Sequence, residues 1–200
     1  MGAQIDIMRE LAQHIMDLLE NSARAGARRV EIDLDQQRAA DRLVLRVIDD
    51  GRGMSPEVVS MATDPFFTSR TCRRVGLGLP LLAASTQRCD GHLLIKSEPG
   101  RGAVVEAAFR LSHIDTPPLG DLRTTLMCTI VGHPELDIVY RYTVDGGTFE
   151  LDSAAIKSEL GEVPLSHPRI LRWLEQYISE GLVTASAVTA QEEEVHAKVD

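Results

Sequence analysis

The feature that most constrains the fold is a pair of segments in which apolar and charged residues alternate. One segment is "RRVEIDLD" and the next is "RLVLRVID". The alternating apolar residues are Val30, Ile32, Leu34, Leu43, Leu45 and Val47. A period of two is typical of strands with one buried face and one solvated face. Such strands must cover their apolar faces, so we expect a sheet packed against helices.

Helical periodicity precedes and follows these two strands. Apolar residues recur every three to four positions between about residues 6 and 25, and Gly26 stands where a helix C-terminal cap is expected. The tripeptide "SPE" at 55–57 is typical of a helix start, and a further helix is predicted from about 77 to 89. The segment "GHLLIKSEPGRGAVVEAAFRL" predicts two strands joined by a turn. Residues 1–113 are therefore predicted to be α+β, a two-layer sandwich with a mixed sheet.

The segment "DTPPLG" breaks this pattern with two prolines and a glycine, and it is the predicted domain boundary. Beyond it, residues 114–185 are predicted to form a small acidic α+β unit. Its predicted elements are a helix at about 120–131, a hairpin "LDIVYRYTV-DGG-TFELD", a short helix at about 153–160 and the amphipathic helix "HPRILRWLEQYISEGL". Residues 186–200 are predicted to be a disordered acidic tail.

The charge distribution supports two segments of different character. The net charge of −9 belongs to the second segment, because residues 1–112 hold 15 basic and 15 acidic side chains, which leaves 6 basic and 15 acidic for 113–200. An acidic surface disfavours nucleic acid as a partner. The sequence contains no run of about 18 apolar residues, so no membrane span is expected. The three scattered cysteines and the absence of a signal-peptide pattern lead us to expect a reduced, cytoplasmic protein.

Three polar residues of the first helix share one stripe. His14, Asp17 and Asn21 fall within an arc of roughly 60° when successive residues are about 100° apart. A carboxylate and a carboxamide aligned in this way either face solvent or form one wall of a site.

Two glycine-rich turns follow. "DDGRGM" places Asp49 at the end of a predicted strand, where Gly51 and Gly53 permit positive φ and close approach of a ligand. "GLGL" at 76–79 places backbone N–H groups at a helix N-terminus, which favours phosphate. The third glycine of a dinucleotide fingerprint is absent, and so is a P-loop sequence.

The order and spacing of five motifs are more specific than any one of them. "LLENSARAGA", "DDGRGM", "DPFFTSR", "GLGLPLL" and "SEPGRGAVVEAAF" resemble the N box, first glycine box, F box, second glycine box and closing strand of the GHKL ATPases. That superfamily includes gyrase B subunits, heat-shock chaperones, histidine kinases and mismatch-repair ATPases. The resemblance covers about residues 5–112 and implies a Bergerat-type ATP-binding fold. "ENSARAGA" looks most like the mismatch-repair branch, whereas "DPFFTSR…GLGL" and "SEPGRG" look most like histidine kinases.

The resemblance implies roles for individual residues, with ATP and Mg²⁺ as cofactors. Asp49 would accept a hydrogen bond from the exocyclic amine of adenine, and Asn21 would give its side-chain oxygen to Mg²⁺. Gly51 and Gly53 would let the backbone lie against the base. Further nucleotide contacts are expected from the glycine boxes and the lid between them: Met54, Phe67, Thr68, Arg70, Gly76, Leu77, Gly78 and Leu79.

The sequence departs from the family pattern at two positions. Asp17 stands where the hydrolysing branches carry a glutamate and histidine kinases often carry an asparagine. We expect its carboxylate to be catalytic, orienting or deprotonating a nucleophile, with slow turnover because its reach is shorter. His14 would either orient Asp17 or pack in the core. Ala103 stands where the kinases commonly carry a threonine near adenine, which removes one polar contact.

These features predict a protein that binds Mg·ATP and either phosphorylates a partner protein or hydrolyses ATP slowly, in a signalling role. The alternative is a non-catalytic ATP-dependent switch whose C-terminal unit docks a partner. "SHIDTPPLGD" and "PLSHPRILRWLEQYISEGL" resemble small stand-alone ATP-binding proteins of anaerobic bacteria, which often lie beside iron-hydrogenase genes. A hydrogenase-related partner is therefore one expectation, and the oligomeric state stays open.

Overall fold

The computed structural model describes residues 10–64 and 77–196 of the 200-residue chain, with side chains described through residue 187. The strands are β1 (Arg29–Gln37), β2 (Arg42–Asp49), β3 (His92–Ser97), β4 (Ala103–Arg110), β5 (Asp137–Val144) and β6 (Gly147–Asp152). The helices are α1 (Leu11–Arg24), α2 (Pro56–Met61), α3 (Gly78–Arg88), α4 (Leu122–Gly132), α5 (Ser153–Leu160) and α6 (Pro168–His196).

The six strands form one sheet in the order β3-β4-β2-β1-β5-β6. The β1–β5 pair is parallel, and the other four pairs are antiparallel. The register aligns the predicted apolar positions across the sheet, since Ile32 of β1 is opposite Val47 of β2 and Tyr140 of β5. The predicted α+β class with a mixed sheet is therefore confirmed.

One face of the sheet is buried by the helices that pack on it. On α1, the residues Leu11, Ile15, Leu18 and Leu19 are at most 4% exposed, and they repeat at the spacing of one helix face. Burying each such side chain contributes about 1.5–3 kcal/mol. This packing fixes the position of α1 against the sheet, and α1 carries the predicted polar stripe.

The second segment joins the first in one hydrophobic core, which differs from the separate small unit expected from sequence. Strands β5 and β6 extend the same sheet beyond β1, and α4 packs against α1. The first N–H groups of α1 donate to this segment, Leu11 N to Pro118 O at 2.8 Å and Ala12 N to Leu119 O at 2.9 Å. "DTPPLG" is therefore a turn that caps the start of α1, because its carbonyl groups satisfy N–H groups that a helix leaves free.

Local signals predicted several element ends. Gly26 follows α1 with φ +75°, the left-handed conformation typical of a helix end. Ser55 caps α2 by accepting from Val58 N at 3.5 Å, and Pro56 is its first residue. These are the residues from which the helix start was predicted.

Helix α6 continues through His196, beyond the point where a disordered tail was expected to begin. Its buried residues include Leu174 and Ile178, both 0% exposed, whereas Trp173 is 48% exposed and stacks on Tyr177 with ring centroids 5.1 Å apart. The helix thus closes the core with one side. Within the described residues, every helix is too short or too polar to cross a bilayer.

Candidate functional site

A cavity of about 470 Å³ lies between α1, the ends of β2 and β4, the loop that follows β2, and α2. Its lining combines apolar and polar residues. The apolar lining residues are Leu18, Ala25, Val47, Met54, Val58, Ala62, Leu79, Ala103 and Val105. The others are Asn21, Ser22, Arg24, Asp49, Arg52, Gly53 and Ser55. A cavity of this size and mixture is typical of a small-molecule site.

Asp49 is the carboxylate that the fold places inside this cavity. It ends β2, where the strand leaves the sheet, and it is half-buried. Its Oδ2 accepts from the Ser22 hydroxyl at 3.0 Å, and its Oδ1 accepts from the Gly51 N–H at 2.9 Å. An ionised carboxylate has about four acceptor positions, so two remain for a ligand. The two protein donors fix the direction in which those acceptors point.

The loop after β2 is compact because glycines allow close backbone contacts. Gly53 has φ +66°, and a Cβ there would overlap the carbonyl oxygen of Glu98. Gly102 has φ +74°, and a Cβ there would overlap the carbonyl oxygen of Asp49. The segment "SEPGRG" therefore packs directly beneath "DDGRGM".

One serine side chain ties these two segments together. Ser97 Oγ accepts from the Met54 N–H at 2.8 Å and donates to the Gly102 carbonyl at 2.6 Å. The Gly100 N–H donates to the Arg52 carbonyl at 2.8 Å. The closing-strand motif thus supports the glycine turn that carries Asp49.

The polar stripe of α1 is only partly directed at the cavity. Asn21 is half-buried and lines the cavity, and Asp17 lies one turn before it. Asp17 faces the first residue of α3, since a Cβ at Gly78 would be 3.0 Å from the Asp17 Cβ and 3.3 Å from its Oδ2. His14 is 2% exposed, among the core residues of α1. The Asp17 carboxylate thus lies where α3 begins.

The structure brings together many of the residues predicted from sequence. Asn21, Asp49, Gly53, Met54 and Leu79 line the cavity, and Gly51 contacts Asp49 within the same turn. Leu77 and Gly78 are at the start of α3. Phe67, Thr68, Arg70 and Gly76 lie outside the described residues.

Sequence analysis missed Ser22, Arg24 and Arg52 as site residues. Ser22 is next to Asn21, but successive helix residues point about 100° apart, so Ser22 is not on the polar stripe of α1. Arg24 comes three residues after Asn21, a spacing that could have identified it as a neighbour. Its guanidinium pairs with Glu20, with Nη2 and Oε2 3.2 Å apart. Two arginines at the cavity make it suitable for an anionic ligand.

The described residues contain no cluster of three or more histidine, cysteine or acidic side chains that would hold a metal by itself. The Asn21 side-chain oxygen is a hard ligand of the kind that Mg²⁺ takes, and Mg²⁺ commonly completes its coordination with water and phosphate oxygens. A single protein oxygen beside the cavity therefore fits Mg²⁺ that enters with a phosphorylated ligand.

The family of the chain follows from its match to a known domain. Residues 7–113 match the domain described as histidine kinase-, DNA gyrase B- and HSP90-like ATPase. This is 107 of the 200 residues, and it contains the whole cavity lining. The chain belongs to this ATPase family. The resemblance to the GHKL ATPases is thereby confirmed.

Individual relatives are sensor and sporulation kinases. The chain is 28% identical over 102 residues to sporulation kinase C of Bacillus subtilis, which is 51% of this chain and 24% of the kinase. It is 34% identical over 116 residues to the cell-division control histidine kinase PdhS of Brucella ovis, which is 50% of this chain and 11% of that kinase. The chain thus spans a quarter or less of the length of these relatives.

The fold is also similar to a solved structure that extends further along the chain. The N-terminal domain of a DNA repair protein matches with a TM-score of 0.53 and 13% identity. The match covers 72% of this chain and 52% of the other. At this identity the likeness concerns the fold alone.

Proposed function

We propose that this protein binds Mg·ATP in the cavity beside α1 and uses it in signalling, either to phosphorylate a partner protein or in slow hydrolysis. The observation that carries the proposal is the Asp49 carboxylate, which Ser22 and Gly51 hold in a partly apolar cavity with two acceptor positions left for a ligand. The family provides the expectation of ATP.

The base would lie at the Asp49 end of the cavity. The exocyclic amine of adenine donates a hydrogen bond that a carboxylate accepts, whereas the carbonyl of guanine at that position would be repelled. Val47, Val105 and Leu79 offer apolar surface for the two faces of the ring. The Ala103 side chain has no polar atom to offer the base. The Ser22 hydroxyl orients Asp49.

The phosphates would lie toward Asn21 and the start of α3. The first N–H groups of a helix favour phosphate, and Gly78 is the first residue of α3. Asn21 would hold Mg²⁺, which would neutralise phosphate charge. Arg24 would add a positive charge at the same end.

Asp17 would act on the nucleophile. Its carboxylate lies beside Gly78, at the helix end where the terminal phosphate is expected. There it would orient or deprotonate a water molecule or a partner's side chain. His14, at 2% exposure, would support the helix by packing.

The test of binding is titration of the purified protein with ATP and Mg²⁺ in a calorimeter, comparing wild type with Asp49→Ala. Loss of a hydrogen bond to a charged group costs about 1.5–3 kcal/mol, so affinity should fall at least tenfold. Arg46→Ala, an exposed change on the neighbouring part of β2, is the matched control. Equal affinity in wild type and Asp49→Ala would refute the site.

The second candidate is an ATP-dependent switch without catalysis. It is favoured by the packing of α4 on α1, which links the predicted Mg²⁺ ligand to the segment outside the family match. Incubation with radiolabelled ATP distinguishes the two functions. Released phosphate or labelled protein supports catalysis, and stoichiometric binding without either supports the switch.

Asp17→Asn tests the catalytic role. We expect ATP binding to be retained, because Asp17 is one helix turn away from Asn21, and any turnover to fall. Turnover equal to wild type would exclude Asp17 as the base.

The partner is proposed to be a protein in the cytoplasm. A hydrogenase-related partner follows only from the resemblance of two C-terminal segments to small stand-alone ATP-binding proteins. A pull-down with and without ATP, followed by mass spectrometry, would identify the partner.

A further inference from the structure

We infer that His133, in the segment beyond the family match, is a positioning residue of the nucleotide site and acts through Glu20 on Arg24. The inference rests on the proposed binding of ATP. It assigns to the C-terminal segment a direct part in the charge balance at the phosphate end of the cavity.

The three side chains form a chain of contacts from the cavity to α4. Arg24 lines the cavity, and its Nη2 is 3.2 Å from Glu20 Oε2. The other oxygen of the same carboxylate, Oε1, is 3.0 Å from His133 Nε2. His133 is the C-cap residue of α4, and its Nδ1 is 3.7 Å from the exposed Glu135.

The direction of the hydrogen bond follows from the charge of Glu20. The hydrogen bond with His133 holds the pKa of Glu20 below its ordinary value, with further lowering from Arg24. The carboxylate is therefore ionised and only accepts hydrogen bonds. His133 must donate through Nε2.

Glu20 and a bound phosphate would compete for the same guanidinium. An uncompensated carboxylate beside Arg24 holds the arginine and repels phosphate, because both effects scale with its charge. A hydrogen bond donated to its other oxygen weakens both effects, since the donor dipole opposes the negative charge. His133 thus leaves Arg24 available to the phosphates without contacting the nucleotide.

The position of His133 depends on features that only the longer chain supplies. Helix α4 packs along α1, and Thr125 Oγ1 donates to the Ala12 carbonyl at 3.4 Å on the same side. The matched family domain ends at residue 113, so the residue acting on Glu20 is an addition particular to the second segment.

The experiment compares the affinities of full-length variants for Mg·ATP and for adenosine, which has no phosphates. We expect His133→Ala to weaken ATP binding about two- to fivefold, the range of an exposed ion pair, and to leave adenosine binding unchanged. His133→Gln keeps an N–H donor near the position of Nε2, and it should restore ATP affinity. Glu20→Gln should bind ATP at least as tightly as wild type.

The matched control is Arg123→Ala, which removes an ion pair of the same helix, Nη1 to Glu175 Oε1 at 3.3 Å. It should change neither affinity. A double variant, Glu20→Gln with His133→Ala, should bind ATP like Glu20→Gln alone, because His133 acts only through the Glu20 charge.

The outcomes separate this inference from the proposed function. If wild type binds neither ligand, the proposed function fails and this inference with it. If wild type binds ATP, the inference fails on any of three results. These are His133→Ala equal to wild type, an equal loss for adenosine, or a His133→Ala loss that persists in the Glu20→Gln background.

Discussion

At the residue scale, the glycines near the cavity differ in what their missing side chains permit. Gly53 and Gly100 both have positive φ, +66° and +78°. A Cβ at Gly53 would overlap the Glu98 carbonyl oxygen, whereas a Cβ at Gly100 would meet nothing within 4 Å. The two positions therefore separate the cost of backbone conformation from the cost of close approach.

Gly53→Ala and Gly100→Ala form a matched pair of variants. Each places a side chain in the left-handed region, which costs about 1–2 kcal/mol. Only Gly53→Ala must also move the turn that carries Asp49, so it should lower Tm further and weaken ATP binding. Thermal unfolding and calorimetric titration measure the two effects. Equal loss of ATP affinity in both variants would contradict the described packing of the turn.

At the element scale, α4 packs against α1 and has its own N-cap. Asp121 Oδ1 accepts from the Thr124 N–H at 2.9 Å, and Oδ2 accepts from the Thr124 hydroxyl at 2.6 Å. These bonds lower the pKa of Asp121, because they favour the ionised carboxylate.

Asp121→Ala should reduce the free energy of unfolding by about 1 kcal/mol, the usual contribution of an N-cap, whereas Asp121→Asn keeps an acceptor and should lose only the contribution of the charge at neutral pH. The folded pKa is below the unfolded value of about 3.9, so the contribution of the charge is present above that value and is lost as the pH falls through the folded pKa. Urea unfolding of wild type and Asp121→Asn between pH 3 and 7 checks this. The advantage of wild type over Asp121→Asn should decline only below about pH 4.

The sequence predicted elements better than it predicted their partners. Strict alternation predicted β1 and β2, and "DGG" between alternating segments predicted the β5–β6 hairpin, because these signals are local. Asn21 and Asp49 were predicted through motif spacing, and they line one cavity. The Ser22–Asp49 and Glu20–His133 hydrogen bonds join residues 27 and 113 positions apart, and no local pattern indicates them.

At the scale of the whole molecule, β1 lies inside the sheet because the second segment adds two strands beyond it. Strand β1 pairs with β2 on one side and with β5 on the other. Without the second segment, the family-matched part of the chain would leave β1 as an edge strand with exposed N–H and C=O groups. It would also expose the α1 surface that α4 covers.

A chain ending at His113 should therefore self-associate or aggregate through the unpaired edge of β1. The full chain should not associate in this way, because β5 covers that edge. Light scattering during concentration, together with size-exclusion chromatography, compares the two. A truncated chain that stays monomeric and binds ATP like the full chain would show that residues 114–196 are dispensable for the fold of the first segment.

The parallel pairing of β1 with β5 has a consequence for synthesis on the ribosome. Arg29 is opposite Asp137, so β1 cannot pair with β5 until a segment more than a hundred residues later has been synthesised. The first N–H groups of α1 likewise lack these acceptors until Pro118 and Leu119 have been synthesised. Contacts so distant along the chain slow folding. We expect the nascent protein to form its proposed ATP site late, when most of the chain has emerged.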